Sequence, residues 1–377
     1  MPILNILPIA RKEFRQIRRD KRALGLLLVI PAIMLVMFGY ALNFDVKHSA
    51  IAVDDEGNTK TSREFIQLFF SSEYFDYAFQ IRDSREMNTL LDNGTVAGAI
   101  VIPRDFSDNL AAGNEAPIQI IVDGSNANTA TTILGYISAI VQQYSQGVVM
   151  KSFSRTGGHQ IVDPIDLQPR IWYNPELRSA KFLVPGLIAF ILTIAAVVST
   201  SLAVVREWET GTVEQIIVSP VKPAELILGK IVPYTVIALI STVTILLAGY
   251  ILFDVAIKGS FVWLFIVTLV FLIGSLGLGL LISSIAGTQQ VAFMIAVLAT
   301  MLPTFILSGF VFPIRNMPPV IQAVTYLIPA RYFLVALRSI ILKGVGPSAF
   351  WDQFLYLIGY AVLALVASSA RMKKILH

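Results

Sequence analysis

The chain has 377 residues, of which 55% are hydrophobic and only 14% charged, and its mean hydropathy is +0.70. An ordinary soluble domain carries roughly 25% charged residues, so this composition excludes a water-soluble globular class and points to an integral membrane protein. Cysteine is absent, and His48, His159 and His377 stand far apart, which excludes disulfides, thiolate metal sites and a histidine ligand cluster.

The net charge of +4 conceals a division. Residues 43–181 hold 11 Lys+Arg against 17 Asp+Glu, a net of −6, while the rest holds 18 against 8, a net of +10. An acidic insert is thus set into a basic, apolar frame. The first 22 residues mix Ile3, Leu4, Ile6, Leu7, Ile9 and Phe14 with Arg11, Lys12, Arg15, Arg18, Arg19, Lys21 and Arg22. That pattern suits a helix in the cytoplasmic interface, its cations against anionic headgroups. It serves equally as a topogenic charge cluster with no further role.

A helix needs about 20 apolar residues to cross the hydrocarbon core. Six stretches meet or approach that length: Ala23–Leu42, Phe182–Val205, Ile231–Phe253, Phe261–Ala286, Val291–Phe312 and Phe354–Ser369, none containing Asp, Glu, Lys, Arg or His. The first is too long for a signal-peptide core and lacks a small-x-small site after it. Basic flanks at both ends, including Arg371, Lys373 and Lys374, predict cytoplasmic termini. The expected fold class is a membrane all-α protein of six transmembrane helices, with a mixed α/β extracytoplasmic domain inserted between helices one and two.

That domain, with its connector, is residues 43–181. Strands are expected at Ala50–Val53, Tyr77–Ile81, Val96–Ile102 and Pro117–Val122, separated by helices over Ser62–Phe70, Arg85–Asn93 and Asp105–Ala112. A long helix, Asn126–Phe153, leads back toward the membrane. Asp54-Asp55-Glu56 beside Gly57-Asn58 reads as a solvated turn and not an acid–base pair. Asn93-Gly94-Thr95 reads as a turn sooner than as a glycosylation site. The domain is expected to bind or dock, not to catalyse.

Residues 206–230 form the most charged connector after the N-terminus. Thr210 or Thr212 is expected to cap a short helix with Glu214 in its first turn, stopped at Ser219-Pro220. Pro223 then starts a helix running into the third span. Past the fifth span, Pro318-Pro319 and Pro329 predict two short helices within 313–350, carrying Arg331 and Arg338 seven residues apart on one face. These arginines suit an anionic or amphipathic ligand, with headgroup anchoring the simpler reading. In the fourth and fifth spans Ser275, Gly279, Thr300, Pro303, Thr304 and Ser308 are candidates for a path or gate, although small residues also serve close helix packing.

The run Arg206-Glu207-x-Glu209-x-Gly211-Thr212-x-Glu214, with Ser219-Pro220-Val221, Glu225 and Gly229-Lys230, resembles the signature of ABC-2 type transporter permeases. More narrowly, the chain resembles their bacterial drug-efflux-like branch, which carries a large outside domain between spans one and two. Asn174-Pro175-Glu176 and Leu307-Ser308-Gly309-Phe310 fit the same pattern. The resemblance implies a permease in the bacterial inner membrane, paired with a second copy or close paralogue and driven by two copies of a separate ABC ATP-binding subunit. Arg206, Glu207, Glu209, Gly211, Thr212 and Glu214 would then form the coupling helix. ATP and magnesium would sit at the partner subunit, with no cofactor on this chain, and a periplasmic adaptor could dock on the outside domain. Nothing points to nucleic acid. The cargo would be hydrophobic or amphipathic, drug-like or lipid-like, moved from the cytoplasm or inner leaflet.

Gly229-Lys230 lacks the glycine five residues earlier and the following hydroxyl of a phosphate loop, so the chain is not expected to hydrolyse ATP by itself. The alternatives are an ion-coupled secondary transporter, disfavoured by spans without Asp, Glu, His, Lys or Arg, and a membrane-anchored sensor, which leaves five further spans unexplained.

Overall fold

The computed structural model describes residues 6–41, 48–81, 83–125, 127–155, 173–174, 178–211 and 222–376. The chain divides into two compact units, Phe44–Pro169 and the joined segments Met1–Asn43 and Arg170–His377.

The Phe44–Pro169 unit is a four-stranded mixed sheet clad by helices. Its strands are β1 (Ser49–Asp55), β2 (Phe75–Gln80), β3 (Gly98–Ile102) and β4 (Gln119–Val122), in the order β2-β1-β3-β4. β1 runs parallel to β2 and β3, and β4 closes the edge antiparallel to β3. The strand period of two divides the apolar residues between faces. Ile51, Ile100 and Ile102 meet Phe65, Phe69, Phe106, Ile133 and Ile137, while Ala52 and Ala99 meet Ile81, Met87 and Val96. The covering helices are α3 (Lys60–Phe70), α4 (Ser84–Asp92), α5 (Phe106–Ala112) and α6 (Ala127–Arg155). The acidic run is not a free turn: Asp54 and Asp55 are the last residues of β1 and the turn begins at Glu56, with Asp55 accepting from Asn58 N at 2.9 Å and Ser62 Oγ at 2.6 Å. Asn93 caps the end of α4 and Gly94 takes φ +64°, so the expected turn is a helix exit.

The second unit is helical: α1 (Ile6–Arg19), α2 (Lys21–Ala41), α7 (Ser179–Glu209), α8 (Pro223–Phe253), α9 (Phe261–Ser283), α10 (Gln289–Leu307), α11 (Pro319–Thr325), α12 (Pro329–Arg338) and α13 (Trp351–Leu376). Among the described residues, α7, α8, α9, α10 and α13 are long and apolar enough to cross a membrane. The first span expected from the sequence is helical as α2, whose described apolar stretch, Leu27–Ala41, is shorter. Residues 313–350 hold the expected pair of short helices. α11 and α12 meet at a bend of 83°, and α12 runs on through a π turn, Ser339–Lys343, to Gly344 at φ +68°.

α7 is the axis of this unit: 72% of its most apolar stretch is buried, against 22% for α10. Small residues make the close approaches. A Cβ on Gly274 or Gly277 of α9 would press on Tyr360 or Ala364 of α13, and one on Gly279 would overlap Thr200 and the Val197 carbonyl of α7. Thr200 Oγ1 donates across that contact to Leu276 O at 3.0 Å. α12 seals the core through Phe333, stacked on Phe271 of α9 with ring centroids 4.0 Å apart.

Candidate functional site

The charged end of α7 is where the coupling candidates converge. On its α7 side, helical geometry reaches further into the 206–230 connector than the sequence pattern predicts. Arg206–Glu209 complete α7, and Pro223–Lys230 are the first two turns of α8. Thr210 closes α7, with its Oγ1 donating to Arg206 O at 2.8 Å, instead of starting a new helix. Gly211 follows at φ +72°, a left-handed turn that glycine adopts without steric penalty. Thr212, Glu214 and Ser219-Pro220-Val221 lie outside the described residues. Pro223 begins α8 as expected, with Glu225 accepting from Lys222 N at 3.1 Å.

Three side chains on the last turn of α7 grip three different places. Arg206 pairs with Asp20, between α1 and α2, at 3.2 Å. Glu209 accepts from Gln289 N at 2.7 Å and from its side-chain amide, fixing the start of α10. Glu207 turns inward and is only 4% exposed. There it meets Lys230 Nζ at 2.6 Å, and Lys230 also reaches Glu13 of α1 at 2.9 Å. Lys12 completes the group, bonding Glu207 and lying 3.1 Å from Glu13.

Two ammonium groups and two carboxylates thus form a neutral quartet. Lys230 is 1% exposed and Glu13 3%. Charges that deep are tolerable only when paired and hydrogen-bonded. Burial works against the Lys12 ammonium, but its bonds to Glu207 and Glu13 outweigh that and hold its pKa above the usual lysine range. Backbone geometry allows the quartet to close. A Cβ on Gly229 would sit 2.7 Å from Ile9 Cβ, so glycine lets α1 lie directly on α8. The Gly229-Lys230 pair is therefore a seat for α1: glycine gives the approach and lysine the lock.

Sequence reading passed over Glu13 and quoted Lys230 only within the family signature, without a partner. A signal was present, since Glu13 is the only acidic residue among the first nineteen. Because α7 and α8 extend past the expected span limits, ionisable side chains do occur within these long helices.

The path and gate candidates lie apart from this quartet. Thr300 and Thr304 share the buried stripe of α10 with Ala292 and Ala296. Thr300 Oγ1 donates to Ala296 O at 2.6 Å, and Ser308 Oγ to Thr304 O. Pro303 is inside α10. On α9, Ser275 is buried without a hydrogen-bond partner, and Gly279 marks the crossing with α7.

Arg338 is not a free headgroup anchor. Its guanidinium donates to Gly309 O at 3.2 Å and to Phe310 O and Phe182 O, both at 3.3 Å, and lies 4.0 Å above the Phe182 ring. This accounts for the Leu307-Ser308-Gly309-Phe310 motif. Ser308 ends α10, Gly309 turns left-handed at φ +80°, and fully buried Phe310 packs where Gly186 of α7 leaves room. Arg338→Gln should therefore cost about 2–3 kcal/mol by stranding these carbonyls, read as a lowered thermal midpoint of the detergent-solubilised chain. Arg331 stacks separately on Tyr326, its Cζ 3.9 Å from the ring centroid.

Residues 21–370 match the ABC-2 family transporter protein family. The chain is 36% identical to the probable multidrug ABC transporter permease YbhS of Escherichia coli K12, over 99% of this chain and 98% of that one. It is 32% identical to YbhR, another probable multidrug ABC transporter permease of the same organism, over 92% of each. ABC transporter G family member 20 of Dictyostelium discoideum is 24% identical, over 98% of this chain and 52% of its own. With the helical unit, its long apolar helices and a full-length match all in agreement, this chain belongs to the ABC-2 family of transporter proteins.

Proposed function

We propose that the chain is the membrane subunit of an ATP-driven exporter, energised through the α7–α8 connector by a separate ABC ATP-binding subunit in two copies. It works beside a second permease copy or close paralogue in the bacterial inner membrane, with both termini cytoplasmic and the Phe44–Pro169 unit outside. The cargo class is hydrophobic or amphipathic. The chain itself is the non-catalytic partner, with ATP and magnesium held by the other subunit.

The observation that carries this reading is the clamp at the end of α7. Arg206, Glu207 and Glu209 tie that end to the α1–α2 turn, to α1 with α8, and to α10. A push on the connector between Gly211 and Lys222 would reach these helices together, since packed helices shift as bodies and do not deform continuously. Glu207 then works from inside the quartet, passing movement on, while Glu214 is the candidate for direct contact. Glu214→Lys should abolish partner-dependent export while the chain still inserts, measured as dye efflux against membrane-fraction yield. Wild-type efflux in that variant would count against coupling through this connector.

Among the described residues, the quartet is also the feature that favours ion coupling, because it buries titratable groups at the ends of long apolar helices. Its mutual pairing favours a structural lock instead. Export that persists without an ATPase and follows a proton gradient would reverse that preference.

A further inference from the structure

A cavity of about 580 Å³ lies among α11, α12 and the start of α13, within the usual span of small-ligand pockets. Its lining includes Tyr326, Arg331, Tyr332, Asp352, Leu355 and Tyr356. Arg331 and Asp352 carry opposite charges into this one space, yet no ion pair joins them. Among the described residues Arg331 has no acidic partner and Asp352 no basic one. Arg331 is held by other means, stacked on Tyr326 and bonded to Thr325 Oγ1. Tyr332 donates to Tyr326 O at 2.7 Å and stacks on Tyr356 with centroids 5.0 Å apart. The walls are thus braced while the two charges stay available.

Its surroundings place the cavity at membrane-interface depth. α9 and α13, both long enough to cross, begin beside it, and Trp263 and Trp351 in their first turns lie 6.4 Å apart. Aromatic residues gather at that level of a bilayer. Leu355 at the rim is 51% exposed, and Val320 and Leu327 on the neighbouring segment are 77% and 73% exposed, a surface suited to acyl chains.

We propose that this cavity binds the headgroup of a zwitterionic phospholipid with a primary ammonium, the phosphate on Arg331 and the ammonium on Asp352. A guanidinium presents a planar fork of donors to phosphate oxygens. A carboxylate accepts only, so it selects an ammonium that carries N–H groups. A quaternary ammonium has no N–H to give that carboxylate and is held best where several ring faces close around it, whereas Arg331 takes one face of Tyr326, and Tyr332 and Tyr356 each spend one face on the other. The proposal is separate from the transport reading and requires only that the chain spans a membrane.

Native mass spectrometry of the full-length chain in detergent tests this, with phosphatidylethanolamine, phosphatidylcholine and phosphatidylglycerol of matched acyl chains at equal concentration. The wild type should retain phosphatidylethanolamine at least fivefold over the other two. Asp352→Asn should bring it down to the phosphatidylglycerol level. Arg331→Gln should lose both, and Arg331→Lys should recover part of the phosphate binding. Asp352 is exposed, so its variant should stay folded and carries the test even where Arg331→Gln does not fold. Equal retention of the three lipids by the wild type, or an unchanged preference in Asp352→Asn, overturns the proposal. Displacement of the lipid by equimolar soluble phosphoethanolamine overturns its assignment as a lipid site.

Discussion

Lys230→Met is expected to be among the most damaging single changes in the helical unit. It removes the buried ammonium that bridges Glu13 and Glu207, both almost fully buried, and Lys12, which also touches both, is half exposed. Removing one partner from a buried ionic group typically costs about 3–5 kcal/mol, because the charge left behind cannot recover its hydration. Glu207→Gln should fall in the same range for the same reason. The double variant Lys230→Met/Glu207→Gln restores neutrality, leaving Lys12 facing Glu13. It should therefore cost clearly less than the two singles summed, with a coupling of about 1–3 kcal/mol. Denaturant unfolding of the purified chain in mixed micelles checks both values. Additive singles would show that the four side chains do not act as one group.

Gly279→Val is expected to be the second large effect. At this crossing a first side-chain atom would overlap both Thr200 and the Val197 carbonyl, and backbone cannot step aside as a flexible side chain can. It would also break the Thr200–Leu276 hydrogen bond that staples α7 to α9. Overpacking of this kind costs about 1–3 kcal/mol. Gly287→Ala, where nothing stands within reach of a Cβ, should be nearly neutral and is the control. Thermal midpoints in one detergent compare the two. Equal midpoints would mean that α7 and α9 do not pack this closely.

Much of the architecture was legible because its signals are local. Long apolar blocks predict α7, α8, α9, α10 and α13, and alternation with turn residues predicts the four strands and their intervening helices. Pro223, Pro319 and Pro329 each stand at the first residue of a helix, where the missing N–H costs nothing. What the sequence hides is pairing at long range. Glu13 and Lys230 are 217 residues apart, and nothing local to either shows that they meet. Charge in the 206–230 connector reads as exposed because charge usually is, whereas Glu207 escapes that rule by finding two lysines. Arg338 likewise looks like a surface cation until Gly309 and Phe310 fold back to meet it. Strand order was hidden for a similar reason: periodicity marks each strand, but only the three-dimensional path sets β1 between β2 and β3.

The central claim is that a separate ATP-binding subunit drives this chain through the α7–α8 connector. The most direct measurement is a gentle-detergent pull-down of the tagged full-length chain from its native host, with mass spectrometry and ATPase turnover read on the eluate, for the wild type and Glu214→Lys. The account predicts a stoichiometric phosphate-loop ATPase with turnover in the wild type, and its loss in Glu214→Lys at an unchanged yield of the chain. A clean wild-type preparation with neither ATPase nor turnover would contradict it.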